Sequence, residues 1–274
     1  MPKDIVVNLM VGTTPDPAIP CAISLAETFG AQLAGVAFAY EPVLPAIVGG
    51  GIPESVIEEQ REENEKAAKA AVAQFTAAAK GVLQGSRMVP ASLAGAADTF
   101  GEIARHFDLS VVGQCERDRV GPEELVVEGA LFGSGRPVMV VPFGYKGGMK
   151  LDRVVVCWNG GRTAARATAD AMPFLKRAKA VDVITVGTEA ANPVEASAAE
   201  IGKHLTRHDV KVQVKRVPQG NLRVSAAILA YAAESGANML VMGGYGHSRL
   251  REFILGGTTR GVLKTMTVPT LMAH

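Results

Sequence analysis

The stretch MGGYGHSRLREFILGGTTRGVL, residues 242–263, places three glycines directly after an apolar run and a second glycine pair just before two threonines. Ordered glycine loses more conformational freedom than any other residue, so such clusters persist where a chain turns sharply or lets a ligand approach its backbone. The apolar run 238–244 predicts a strand, and residues 258–266 predict a helix. The glycines therefore fill the connection between the end of a strand and the start of a helix.

This connection has the properties of a phosphate-binding turn. Gly243 to Gly246 would lie at the carboxyl edge of a sheet, and Gly256 and Gly257 would lie where free backbone N–H groups at a helix N-terminus attract anions. Thr258 or Thr259 would donate a hydroxyl hydrogen bond or cap the helix. A purely structural role, a turn followed by relief of crowding, stays open at this point. The stretch is not a Walker A loop, because no Gly-Lys-Ser/Thr follows.

Outward from this stretch, β-rich runs alternate with helical runs, and the whole order occurs twice. FDLSVVGQ at 107–114 parallels ANMLVMGG at 237–244, and the Gly- and Lys-rich segment 144–152 has the composition of a linker. We expect two tandem domains, 1–145 and 151–274. Each is predicted to be a five-stranded parallel sheet covered by helices, which makes the fold class α/β.

Composition excludes several classes of protein. The 274 residues carry a formal net charge of +1 with no block of basic residues, which gives no reason to expect a nucleic-acid partner. No apolar stretch reaches the roughly 18–20 residues of a membrane helix, and the N-terminus is too short and polar for a signal peptide. The three cysteines, Cys21, Cys115 and Cys157, are sparse and far apart, which is typical of reduced thiols. We expect a soluble, cytoplasmic protein without membrane contact.

The glycine spacing carries a resemblance to a known family. Gly243-x2-Gly246-x9-Gly256 resembles the nucleotide-binding signature of the universal stress protein family, G-x2-G-x9-G-[S/T], and GHSRLREFILGG and the final VPTLM are similar to that family as well. The resemblance covers nearly the whole chain, which is identified as a tandem two-domain member. It implies a Rossmann-like fold of the adenine nucleotide alpha hydrolase-like type.

The family resemblance also implies a ligand, ATP or a related adenine nucleotide, with a divalent cation such as Mg²⁺. The glycines would contact the triphosphate, the turn CWNGG at 157–161 would meet the nucleotide, and Val186 would lie by the adenine. Apart from the resemblance, His247 lies inside the loop, where a contact with a phosphate and a plain surface position are both open. The implied binding residues are Asn159, Gly160, Val186, Gly243, Gly246, His247, Gly256, Gly257, Thr258 and Thr259.

Two positions of the second half depart from the family pattern. Asn159 stands where ATP-binding members usually carry aspartate, and Gly257 takes the place of the family's Ser or Thr. The first half departs further, because no glycine follows Gly113 at the matching position, and Glu123 and Glu124 would repel phosphate at a helix start. We therefore expect the first domain to be a degenerate copy that does not bind ATP.

Three function classes follow from these residues. The leading hypothesis is a stress-response protein that uses nucleotide occupancy as a signal, and the alternative is a stress-induced interaction scaffold that binds no nucleotide. An ATP-consuming enzyme has little support, because no Ser/His/Asp or Cys/His arrangement is visible and no catalytic residue is nominated. Pro137 and Pro269, near the starts of the last strand of each half, suit edge positions. These two strands would pair either within the chain or in a homodimer.

Overall fold

The computed structural model describes residues 1–13, 15–42, 53–115, 121–187, 193–244 and 257–274, and it confirms the α/β class. Contacts divide the chain into an N-terminal unit, residues 2–136 and 146–148, and a C-terminal unit, residue 1 with 137–145 and 149–274. The predicted domains, 1–145 and 151–274, stay a prediction. No helix in the described ranges is long and apolar enough to cross a membrane.

The N-terminal unit contains four parallel strands in the order β3-β2-β1-β4. Its elements are β1 Asp4–Leu9, α1 Ala18–Phe29, β2 Gln32–Tyr40, α2 Glu54–Ala78, β3 Leu83–Ala91, α3 Leu93–Ala104, β4 Leu109–Gly113 and α4 Pro122–Gly133. The central strands β1 and β4 are apolar and almost wholly buried. This is expected for parallel strands covered on both faces by helices.

Local signals fix the helix ends in this unit. Helix α1 ends at Gly30, whose φ of 60° lies in the left-handed region that glycine adopts at least cost. Helix α3 begins after Ser92, whose hydroxyl accepts a hydrogen bond from the Gly95 N–H.

The C-terminal unit contains six strands in the order β5-β10-β9-β6-β7-β8. Its elements are β5 Val138–Val141, β6 Arg153–Cys157, α5 Arg162–Asp170, α6 Met172–Leu175, β7 Ala180–Gly187, α7 Pro193–Arg207, β8 Val212–Pro218, α8 Val224–Ser235, β9 Met239–Gly243, α9 Gly257–Thr265 and β10 Thr270–Ala273. The helical run is interrupted between α5 and α6, because Pro173 has no N–H with which to continue the helix.

Strand β5 gives the C-terminal unit its one antiparallel pair among the described strands. Residues Val138 to Val140 pair with Thr270 to Met272 of β10, which also pairs in parallel with β9. The sequence leaves open whether the last strands of the two halves, β5 and β10, pair within one chain or between two chains. In the described structure they pair within one chain. Both long edges of β10 are occupied, so a second chain would have to displace a strand in order to pair there.

Candidate functional site

The candidate site lies where the strand order of the C-terminal unit reverses. The chain proceeds from β6 to β7 and β8 on one side, whereas β9 and β10 lie on the other side of β6. In open parallel sheets, ligands bind beyond the carboxyl ends of the strands at such a reversal. Cys157 pairs with Met242 across β6 and β9, so the turn 158–161 lies beside the end of β9 at Gly243.

The turn after β6 is built by one amide side chain and two glycines. The Asn159 Oδ1 accepts a hydrogen bond of 2.9 Å from the Gly161 N–H. Gly160 has a φ of 73°, a left-handed conformation that disfavours a side chain. Gly161 is the N-cap of α5. Exposed Asn159 therefore presents its Nδ2 amide, a hydrogen-bond donor, and the second lone pair of its Oδ1 at the sheet edge.

One wall of the site is apolar. Trp158 is only 8% exposed and so points into the core, and its Nε1 donates a hydrogen bond of 3.1 Å to the Ser197 hydroxyl. Half-buried Val186 lies two residues beyond Ile184, the partner of Cys157 in the β6–β7 register. Burial raises the pKa of the Cys157 thiol to about 12, so this sulfur stays protonated and is no nucleophile.

Gly243 has a packing reason to be glycine. A Cβ at this position would lie 2.5 Å from the Thr163 Oγ1 and 2.6 Å from the Ala164 backbone nitrogen. The first turn of α5 therefore rests directly on the end of β9. Close approach of two protein segments explains this glycine without any ligand, as the structural alternative supposed.

The chain that follows Gly243 is anchored by the last strand. The Gly244 N–H donates a hydrogen bond of 2.9 Å to the Ala273 carbonyl, and the His274 Nδ1 lies 3.1 Å from the Gly244 carbonyl oxygen. This role of His274 could not be predicted from the sequence, because the contact depends on how β9 and β10 align. The expected site residues Gly246, His247 and Gly256 lie outside the described residues.

The start of α9 is open to solvent on one side and buried on the other. Gly257 is exposed, with no atom within 4 Å of the place where a Cβ would lie. Thr258 is half-buried and Thr259 is 4% exposed, so Thr258 is the threonine with more surface to offer a ligand. The first turn of α9 contains no acidic residue. Its free N–H groups therefore have no carboxylate of their own turn beside them.

Two exposed arginines add positive charge near these helix starts. Arg162 is the first residue of α5 and directly follows the Asn159 turn, and Arg260 lies in the first turn of α9. Arg162 was absent from the predicted site, although its position immediately after Asn-Gly-Gly was a usable signal. Over the ranges that the structure covers, no group of three or more His, Cys, Asp or Glu side chains could hold a metal ion.

Comparison with known proteins gives the family of the half that carries this site. The universal stress protein family model matches residues 150–274. These residues belong to the universal stress protein family. A universal stress protein of Synechocystis sp. is 30% identical over 90 residues, which span 32% of this chain and 30% of that relative's length.

Solved structures share the fold over the length of the chain. A universal stress protein from Archaeoglobus fulgidus has a TM-score of 0.69 at 18% identity, covering 98% of this chain and 95% of its own. A candidate universal stress protein from Pseudomonas aeruginosa has a TM-score of 0.60 at 13% identity, covering 99% and 93%. At these identities the similarity shows the fold alone.

In the N-terminal unit, an acidic side chain lies at the start of the helix that follows β4. Glu123, in the first turn of α4, is 8% exposed and accepts a hydrogen bond of 2.8 Å from the Cys115 thiol. Cys115 is itself only 8% exposed. Burial, with the hydrogen bond and charge of Glu123, raises the pKa of this thiol to about 12. A buried carboxyl group thus lies at the helix start where the universal stress protein half has Gly257 to Thr259.

A second carboxyl group is buried at the same edge of the N-terminal unit. Asp16 is 3% exposed and accepts hydrogen bonds of 2.8 Å from the N–H groups of Met10 and Ala18. Burial raises the pKa of Asp16 to about 6; the two N–H bonds lower it, and the nearby charge of Glu123 raises it further. Two acids in this place make the edge unfavourable for a phosphate group.

Proposed function

We propose that the C-terminal half binds an adenine nucleotide, ATP in the first place, at the carboxyl edge between β6 and β9. The single observation that carries the proposal is the position of a glycine turn and the N-terminus of α5 at the reversal point of the sheet, beside β9, the strand that precedes α9 in the chain. Helix N-termini with free N–H groups favour phosphate, and the reversal point is where such folds hold ligands.

The described residues fit a nucleotide in three respects. The space beside Gly257 admits a phosphate close to the backbone, and Arg162 and Arg260 supply positive charge. Half-buried Val186 and the wall around Trp158 offer an apolar surface to a base. The roles of Gly246, His247 and Gly256 belong to the same proposal on the strength of their spacing. A Mg²⁺ ion would be held mainly through the phosphate oxygens, with Thr258 as the nearest hydroxyl candidate.

We propose that the nucleotide acts by occupying its site and not by being turned over. With Cys157 protonated and no catalytic residue nominated, binding and release would change the surface around residues 158–161 and 257–259 and so signal to partners. We propose that the protein is a nucleotide-dependent signalling or protective factor of the cytoplasm. Whether two chains associate as a homodimer is tested in the same samples. Slow hydrolysis is the most turnover that we expect.

Asn159 favours one alternative. Its Oδ1 already accepts one hydrogen bond from the Gly161 N–H, so this neutral side chain offers one remaining lone pair and an NH₂ donor where a carboxylate would offer a negative charge and several acceptor sites to a ribose hydroxyl or a cation. A scaffold that binds no nucleotide would tolerate this change without loss. The scaffold function is therefore the second candidate.

The deciding experiment examines the protein as purified. Bound small molecules are released by denaturation and identified by mass, and the stripped protein is then titrated with ATP and Mg²⁺ by calorimetry. Backbone amide shifts would locate the ligand, and we expect changes at residues 158–161 and 257–259. Empty protein without saturable binding at millimolar ATP would refute nucleotide binding and leave the scaffold.

A further inference from the structure

A second cavity lies at the opposite edge of the C-terminal unit. It has a volume of about 330 Å³ and is formed at the amino-terminal ends of β6, β7 and β8. Its lining includes four basic side chains, Arg153, Lys179, Lys211 and Lys215, and one acid, Asp182. A volume at the lower end of about 300–1,000 Å³, the usual range of ligand pockets, suits a small molecule.

The buried carboxylate of Asp182 fixes two of these cations. Its side chain is 1% exposed; Oδ2 accepts hydrogen bonds from Arg153 at 2.8 Å and from the Tyr231 hydroxyl at 2.9 Å, and Oδ1 lies 3.0 Å from the Lys215 Nζ. Burial alone would raise the pKa of Asp182, but the hydrogen bonds from Lys215, Arg153 and Tyr231 outweigh burial and lower it. The carboxylate is therefore ionised, and its ion pairs hold Arg153 and Lys215 in place at the cavity.

The bound cations retain hydrogen-bonding capacity. A guanidinium carries five N–H donors and an ammonium three, and one carboxylate cannot satisfy them all. The Arg153 and Lys215 side chains are 33% and 35% exposed, so their unused donors are accessible from the cavity side.

The charge around the cavity is unbalanced toward positive. Lys179 forms an exposed ion pair of 2.6 Å with Asp152, and Asp182 is the other carboxylate. The four cations thus exceed the two neighbouring carboxylates by two. A dianion would bring this edge to neutrality, and an arginine fork beside lysines suits the oxygens of a phosphoryl group.

The N-terminal unit shows that the sheet does not require this cluster. Its strands β1 and β2 have the same register, and Asp4 and Ala34 occupy the positions that correspond to Arg153 and Asp182. The position corresponding to Lys179 is Ala31. The same strand arrangement thus forms in this chain without the buried carboxylate or its basic partners.

We propose that the amino-edge cavity binds a small anion, with two or more negative charges, that carries a phosphoryl group. The site is separate from the proposed nucleotide site, because the strands β6 and β7 lie between the two edges. The inference does not rest on nucleotide binding.

The test is a titration of the full chain with sodium pyrophosphate, at ionic strength held constant with sodium chloride, followed by backbone amide shifts. We expect saturable shifts at residues 153, 180–182 and 211–215. Inorganic phosphate and a sugar phosphate are titrated in parallel, which separates free phosphate from a phosphorylated metabolite as the better ligand. In a further titration, ATP with Mg²⁺ is added and the backbone amide shifts of residues 158–161 and 257–259 are followed.

The variant Lys179→Ser/Lys211→Ser removes two exposed cations that make no contact with Asp182, so the fold should be retained. Loss of two such contacts should weaken pyrophosphate binding by about fivefold or more. The matched control, Lys69→Ser/Lys80→Ser, removes the same charge from the N-terminal unit and should leave the affinity unchanged. Shifts that follow ionic strength alone, equal affinity in both double variants, or shifts confined to residues 158–161 and 257–259 would each overturn the proposal.

Discussion

Replacing Gly257 by aspartate is expected to stabilise the fold and to impair nucleotide binding. Gly257 is the first residue of α9, is exposed, and has free space where a Cβ would lie. Glycine in a helix costs about 1 kcal/mol relative to alanine, of which aspartate recovers a part, and a carboxylate in the first turn gains about 0.3–1 kcal/mol from the helix dipole. The free energy of unfolding should therefore rise by about 0.5–1 kcal/mol.

The same carboxylate should repel a triphosphate. Two unit charges 4 Å apart repel by about 1 kcal/mol in water and by about 4 kcal/mol at an effective dielectric constant near 20. An intermediate penalty of about 2 kcal/mol lowers the affinity for ATP about 30-fold. Opposite signs for stability and binding cannot result from general damage to the protein.

Urea denaturation followed by circular dichroism measures the first effect, and calorimetry with ATP and Mg²⁺ measures the second. Gly81→Asp is the matched control, because Gly81 lies in an exposed turn of the N-terminal unit with the same free space beside it. Unchanged ATP affinity in Gly257→Asp would refute the proposal that the start of α9 faces the phosphates. A fall in stability would refute the reasoning about free space.

Three other perturbations test the packing and the charges. Gly243→Ala places a Cβ against Thr163 and the α5 backbone and should lower the free energy of unfolding, measured in urea, by about 1–3 kcal/mol. An unchanged free energy of unfolding would contradict the close packing at this position. The pKa of Asp16 is raised to about 6, so this group contributes about 3 kcal/mol to the free energy of unfolding below about pH 4, and that contribution is lost as the pH rises through 6. In Asp16→Asn the free energy of unfolding should therefore depend less on pH over this range. An equal pH dependence in the variant and the original protein would contradict this reasoning. Asp182→Asn leaves the cations of Arg153 and Lys215 unpaired and should lower the free energy of unfolding by about 2 kcal/mol at neutral pH. This loss should shrink as the pH falls through the lowered pKa of Asp182, because the carboxylate of the original protein is then protonated. A loss independent of pH would argue against an ion-pair origin.

Elements with strong hydrophobic periodicity were predictable from the sequence. The strand predicted at 238–244 and the helix predicted at 258–266 are found as β9 and α9 within a few residues. Their apolar runs and flanking glycines report local preferences that the parallel sheet does not override. Pro173 is a break between α5 and α6 that the sequence makes readable, because proline cannot continue a helix.

Contacts between distant segments were not predictable in this way. The need for glycine at position 243 arises from the approach of α5, and the role of His274 arises from the alignment of β9 with β10. Neither relation leaves a periodic trace in the sequence. The same holds for the Asp182 ion pairs, whose members come from three strands and one helix.

The two halves of the chain differ most where a helix begins after the fourth strand of the repeat. In the N-terminal unit, the first turn of α4 contains Glu123 and Glu124, and Glu123 is buried. A carboxylate there supplies the negative charge that a helix N-terminus favours, so the chain itself occupies the place of an anion. In α9 the corresponding turn begins Gly257-Thr258-Thr259 and carries no acid. The chain thus supplies this negative charge itself in the N-terminal unit, whereas the proposed nucleotide would supply it in the C-terminal unit, which is why Gly257 is the position where nucleotide binding is tested most directly.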